Sequence, residues 1–219
     1  MTSTIKAYKG MGMEGGIARW YDRTTRKDMP EFRTLATRIA AVVPPAGKVL
    51  EIAPGPGFLS IELARRGLEV RAVDISKTFV EIARRNAAAE GVPARFELGN
   101  ASALPAESNS VDFVVCRAAF KNFSEPVQAL AEMRRVLRPG GTALVIDLRR
   151  DVQTGEIKRY TEAGNLGLVN RWFISFTFRH MLIKRAYLLD EMRRMIAEAG
   201  WTDFRLDTEA IGFEAWMKK

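Results

Sequence analysis

Histidine and cysteine each occur once in the 219 residues, as His180 and Cys116. One cysteine excludes an intrachain disulfide and fits a reducing compartment, so a cytoplasmic protein is expected. No stretch approaches the roughly 18 uninterrupted apolar residues of a membrane span, and Met1 to Gly16 lacks the apolar run of a secretory signal. Internal repeats and low-complexity tracts are missing too, which sets solenoids aside, and Met1 to about Gly16, rich in glycine and methionine with no clear period, is expected to be mobile or to order as a cover. No metal centre is expected. What is present is an ordinary globular composition, 47% hydrophobic, enough for one domain with a full core.

The net charge of +8 is unevenly placed. Residues 1–48 carry nine Lys/Arg against four acids, and residues 149–185 carry eight against three. Residues 49–148 balance at twelve against twelve, and residues 186–219 hold five against seven. A neutral middle with basic flanks suits an acidic small molecule, a nucleic acid or an anionic lipid surface, or merely solvated arginines.

The neutral middle opens with the stretch on which the chain is organised: Val49-Leu50-Glu51-Ile52-Ala53-Pro54-Gly55-Pro56-Gly57-Phe58-Leu59-Ser60. A buried strand to Ile52, a glycine turn and a helix from Leu59 form a nucleotide pocket at a strand's carboxyl end. A dinucleotide fingerprint needs a third glycine for close packing beside a pyrophosphate, and Phe58 stands there instead, which argues against NAD or FAD.

Downstream the pattern alternates. Helix is expected over Leu59 to Arg66, Lys77 to Glu90 and Glu125 to Leu137, the last entered through Ser124. Strand is expected at Glu69 to Val73, Ala94 to Leu98, Val111 to Cys116 and Thr142 to Asp147. A helix from Leu188 to Ala199 and strands near Thr202 to Leu206 and Ile211 to Met217 complete seven strands in a doubly wound, mostly parallel sheet. Upstream, apolar spacing predicts helices over Ile17 to Arg26 and Met29 to Val43, read either as a lid whose Trp20 and Tyr21 close over the pocket or as packing on the sheet edge.

Read as E-x-A-x-G-x-G, the glycine turn resembles the first motif of class I S-adenosyl-L-methionine (SAM)-dependent methyltransferases of the small-molecule type. Val73-Asp74-Ile75-Ser76 is similar to that family's ribose-binding strand end, and Gly99-Asn100-Ala101-Ser102 to its adenine turn, where Asn100 stands for the usual Asp. Asp112-Phe113-Val114-Val115-Cys116-Arg117 and Leu137-Arg138-Pro139-Gly140-Gly141 match the fourth strand and the turn before the fifth. Where many such members carry a His pair, this chain has Lys121-Asn122. The resemblance implies SAM as cofactor and S-adenosyl-L-homocysteine as product. It implies a cofactor site of Glu51, Ala53, Gly55, Gly57, Asp74, Ile75, Asn100, Ala101 and Arg117.

Insertions at a strand's carboxyl end are where such folds acquire a substrate pocket. The aromatic segment within residues 149–187 supplies Trp172 and Phe173, which with Trp20, Tyr21 and Phe120 are expected to face the acceptor. His180 could take a proton as the methyl arrives. The expected layout is one domain: a helical lid (1–47), a SAM-binding core (48–148), a substrate cover (149–187) and a closing helix with two strands (188–219). The expected activity is methyl transfer to nitrogen or oxygen of an aromatic or hydrophobic small molecule, by a monomer or homodimer. An RNA methyltransferase, a lipid or quinone methyltransferase at a membrane surface and a non-catalytic SAM-binding scaffold remain open.

Overall fold

The computed structural model describes residues 8–9, 12–153, 155–156 and 183–219. In it the elements run α1 (Gly15–Thr25), α2 (Met29–Ala40), β1 (Lys48–Ile52), α3 (Phe58–Ala64), β2 (Glu69–Asp74), α4 (Lys77–Ala89), β3 (Arg95–Leu98), β4 (Val111–Arg117), α5 (Pro126–Val136), β5 (Leu137–Leu148), α6 (Leu189–Glu198), β6 (Asp203–Glu209) and β7 (Gly212–Lys218). The strands form one seven-stranded sheet in the order β3-β2-β1-β4-β5-β7-β6. β1 to β5 are parallel, and β7 runs antiparallel between β5 and β6.

Alternation along the central strands explains why both faces are covered. Leu50, Ile52, Val114 and Cys116 point into a core closed by α5 and α6 through Leu130, Met133, Met192 and Ile196. Val49, Phe113 and Val115 point the other way, onto Leu35 and Ile39 of α2 and Leu59 and Leu63 of α3. Every residue of α3 is buried, because the sheet lies beneath it and α2 lies across it. Cys116 is fully buried and burial pushes its thiol far up, so it packs as a small apolar residue.

Two local expectations differ. The Pro139-Gly140-Gly141 turn lies inside β5: Leu137 already pairs with Val111, and a register shift between Val111 and Phe113 takes up the extra residues. Ser124 does not cap α5; Glu125 holds the cap position, Pro126 supplies the preset first turn, and Ser124 Oγ is buried without a partner among the described residues.

The sheet order reverses between β1 and β4, so the crevice outside their carboxyl ends is the topological switch point where ligands bind in open α/β sheets. Both strands end there in a left-handed alanine, Ala53 at φ 55° and Ala118 at φ 60°. Each costs on the order of 1 kcal/mol in backbone strain, which gathers at functional crevices.

Candidate active site

The turn after β1 needs its glycines for two different reasons. Gly55 has φ 54° and sits under the Tyr21 ring, 3.9 Å from where a Cβ would be. Gly57 caps α3 at φ 83°, and a Cβ there would come within 2.9 Å of Ala83 and Phe96. So Gly55 gives the turn its left-handed backbone and Gly57 lets α3 press against α4 and β3. Asn86 of α4 locks the turn, its amide donating to Pro56 O and to Asp22 of α1, both at 3.0 Å.

Asp74, at the end of β2, joins the turn. Its carboxylate accepts from Gly55 N at 3.1 Å and from Ser76 N at 2.9 Å, leaving each oxygen a further acceptor position. Burial raises it from its ordinary 3.8 to about 6, against the lowering by those backbone donors. Glu51 lies deeper, hydrogen-bonded by Ser60 of α3. Burial raises it from 4.5 to about 7, opposed by Ser60 and Arg117. Ile75 and Leu98, the side chains flanking Asp74 at the ends of β2 and β3, are 45% and 50% exposed. Gly99 N donates to Asp74 O at 2.9 Å, which ties the β3 turn to the same spot. There Asn100 Oδ1 accepts from Ser102 N at 3.0 Å, so its amide NH2 is the free end, and Ala101 packs into the core.

A second group lies across the crevice at the ends of β4 and β5. Lys121 is buried and bonded to Asp147 twice, side chain to side chain and backbone N to carboxylate, both at 2.8 Å. Beside it Asn122 is buried, and its Oδ1 has no partner among the described residues. The described residues before α1 reach both groups. Tyr8 pairs with Phe123, and Lys9 N donates to Asn122 O at 2.7 Å. Ser76 donates to Met13 O at 2.7 Å, and Glu14 accepts from Lys77 N and Thr78 N at 3.0 and 3.1 Å. Burial pushes the Tyr8 phenol up; Arg185 opposes this, while Asp74, Tyr21 and Asp147 add to it, so Tyr8 lies between the two halves.

Several expected residues lie elsewhere. Phe120 does not face the crevice: the short helix Phe120–Asn122 turns it inward, where it is fully buried against Phe123 and Tyr187. Trp20 is 53% exposed on the outer side of α1, while its neighbour Tyr21 covers Gly55 and meets Phe79 edge-on at 5.8 Å. Arg117 stacks 4.6 Å over Phe32 and donates to Glu31 at 2.8 Å, near enough to Glu51 and Tyr21 to influence both. Trp172, Phe173 and His180 fall outside the described residues. Reading the sequence did not single out Tyr8, Glu14 or Asp147. Asp147 carried a usable signal, an acid at the carboxyl end of a buried strand as at Asp74; Tyr8 and Glu14 sit in an aperiodic segment and carried none.

The residues present fit SAM rather than a phosphorylated nucleotide. Two buried acids beside a glycine turn suit hydroxyls and an ammonium, and Ile75 and Leu98 offer apolar surface to a purine. The α4 N-terminus, where a ribose phosphate would look for backbone donors, is filled by Glu14.

Comparison with known proteins agrees. Residues 50–145 match the methyltransferase domain family. The chain is 31% identical over 181 residues to a demethylmenaquinone methyltransferase of Renibacterium salmoninarum, covering 78% of this chain and 72% of that one. It is 40% identical over 102 residues to the enzyme of that name from Deinococcus radiodurans, covering 46% and 42%; the chain thus spans under half the length of that relative. A structure from Methanococcus maripaludis, assigned as a SAM-dependent methyltransferase, superposes with a TM-score of 0.77 at 22% identity over 96% of this chain and 95% of that one. The glycine turn, the buried acids at the switch point, the sheet order and these likenesses together make the chain a member of the class I SAM-dependent methyltransferases, with SAM as its cofactor.

Proposed function

We propose that the chain methylates a ring carbon of a reduced isoprenoid quinone of the demethylmenaquinol kind. The observation carrying the acceptor is the 31% identity to a demethylmenaquinone methyltransferase across 72% of that protein's length. A second relative, 34% identical over 119 residues, is the ubiquinone/menaquinone biosynthesis C-methyltransferase of Dinoroseobacter shibae, which favours carbon over nitrogen or oxygen. An oxidised quinone ring is electron-poor, so the acceptor must be the quinol, whose ring carbons are nucleophilic.

SAM, when bound, supplies an electrophilic methyl and leaves as S-adenosyl-L-homocysteine. The chain's residues bind and orient. Asp74 takes the ribose hydroxyls on its remaining acceptor positions, Gly55 offers its backbone edge, Glu51 and Arg117 face the ammonium and carboxylate of the methionine part, and Ile75, Asn100 and Ala101 receive the adenine. Across the crevice, Asn122 Oδ1 accepts a hydrogen bond from a quinol hydroxyl. Tyr8, held protonated by burial, donates one to the ring's oxygen. The Lys121–Asp147 pair keeps that loop in place. The proton released from the ring carbon goes to His180. Orientation supplies much of the acceleration.

The test is incubation of the full chain with methyl-tritiated SAM and a chemically reduced, short-tailed demethylmenaquinone in detergent micelles. The expected outcome is tritium in the organic extract, on a product heavier by one CH2 unit. SAM binding without such a product, but with turnover of simple phenols or aromatic amines, returns the acceptor to oxygen or nitrogen. Unaltered turnover in His180→Ala removes His180 as the base.

A further inference from the structure

We propose that the outward face of α1 docks on an anionic lipid bilayer. α1 has two sides of different character. Ala18, Tyr21 and Asp22 face inward onto Phe79, Ile82 and Asn86 of α4. Ile17 and Trp20, one turn apart, face outward at 39% and 53% exposure. Arg19 and Arg23 lie exposed along the next edge of the helix, and Arg26 and Lys27 continue the basic row just beyond its end. Arg85 of α4 adds a further guanidinium, 64% exposed. Asp22, buried beneath the row, pairs with Arg26 and Arg85 at 3.6 and 3.5 Å, Asp28 follows Lys27, and Glu14 is held at the α4 N-terminus, so Arg19 and Arg23 are the cations this face carries outward.

A tryptophan beside an aliphatic side chain, edged by arginines, matches the headgroup boundary of a bilayer: the indole and Ile17 enter the interface, and the guanidiniums meet anionic headgroups. Ile17 favours lipid over RNA, since it has no ring to stack on a base. No helix among the described residues is long and apolar enough to cross a membrane, so contact at the surface is the mode this face offers. Tyr21, on the other side of the same helix, covers the glycine turn. Docking therefore brings the crevice to the lipid surface, where a prenylated acceptor resides. That purpose rests on the quinol reading; the docking itself does not.

Co-sedimentation of the full chain with vesicles free of any quinone tests it. Vesicles of phosphatidylglycerol and phosphatidylcholine should retain the protein, vesicles of phosphatidylcholine alone should not, and added salt should release it. Arg19→Gln/Arg23→Gln should weaken retention by roughly tenfold or more with unchanged SAM affinity. Trp20→Ser should also weaken it, with an unchanged circular dichroism spectrum. Absence of retention, or retention that neither variant reduces, overturns the proposal. So does loss of polyuridylate binding in the arginine variant with no vesicle binding in the parent, which would assign the face to RNA. Because turnover is assayed in micelles, failure here and failure of the quinol reading are told apart.

Discussion

Asp74 serves two partners at once, bracing the glycine turn through Gly55 while keeping acceptor positions for a ligand. Asp74→Ala removes two charge-assisted bonds from any bound ribose, so the dissociation constant for SAM should rise about 100-fold or more, read by titration calorimetry. Glu51 and Asp74 give the site a double pH dependence. Both are raised by burial, to about 7 and about 6, so the folded chain holds protons that the unfolded chain has released. Their contribution to stability is therefore present at low pH and lost as pH rises through about 7. Below the ordinary carboxylate range the balance turns. Glu62 and Glu214, whose arginine partners outweigh the burial that would raise them, and Glu132, held low by Arg135, then protonate and their stabilisation is lost. The melting temperature of the ligand-free protein should climb as pH falls from 8 toward 5, and Glu51→Gln should flatten the climb by on the order of 3 kcal/mol. SAM affinity should move the opposite way, weakening up to about tenfold per pH unit below about 7, because an ammonium is best held by an ionised Glu51. A common direction for the two curves would exclude Glu51 from the site.

Elements set how much could be read from residues alone. β1 to β4 and their helices were legible because buried parallel strands read as apolar runs and their helices end at Gly67 and Gly91, both in the left-handed conformation. The strand ends that carry Gly55, Asp74 and Asn100 were legible with them. The group across the crevice was not. Lys121 and Asp147 are 26 positions apart and meet only through the pairing of β4 with β5, and Lys9 and Glu14 are held by bonds to distant backbone rather than by any period of the sequence around them. Glu14→Gln removes the carboxylate that caps α4 and should cost about 1 kcal/mol while speeding SAM dissociation, measured by stopped-flow fluorescence. Asp147→Asn strands a buried ammonium. It should cost about 3–5 kcal/mol, with a melting temperature lower by roughly 10 °C; Lys121→Met added to it should recover much of the loss.

At the scale of the molecule, α2 and β7 are joined across 176 positions by the two-pronged Arg38–Glu214 pair, at 2.8 and 2.6 Å, with Trp216 also donating to Glu214. The N-terminal helices are thereby part of the sheet's cooperative unit rather than an appendage. Arg38→Ala leaves the buried Glu214 without its partner and should cost about 2 kcal/mol, seen in urea as a lower midpoint with one transition and an unchanged slope. A separate early transition would mean that the lid unfolds alone. The two left-handed alanines carry a consequence for how ligands arrive. A methyl group at Ala53 and another at Ala118 deny the ends of β1 and β4 the wide backbone swings that glycine would allow. The floor of the crevice is stiff, and the adjustment a ligand needs falls to the side chains around it.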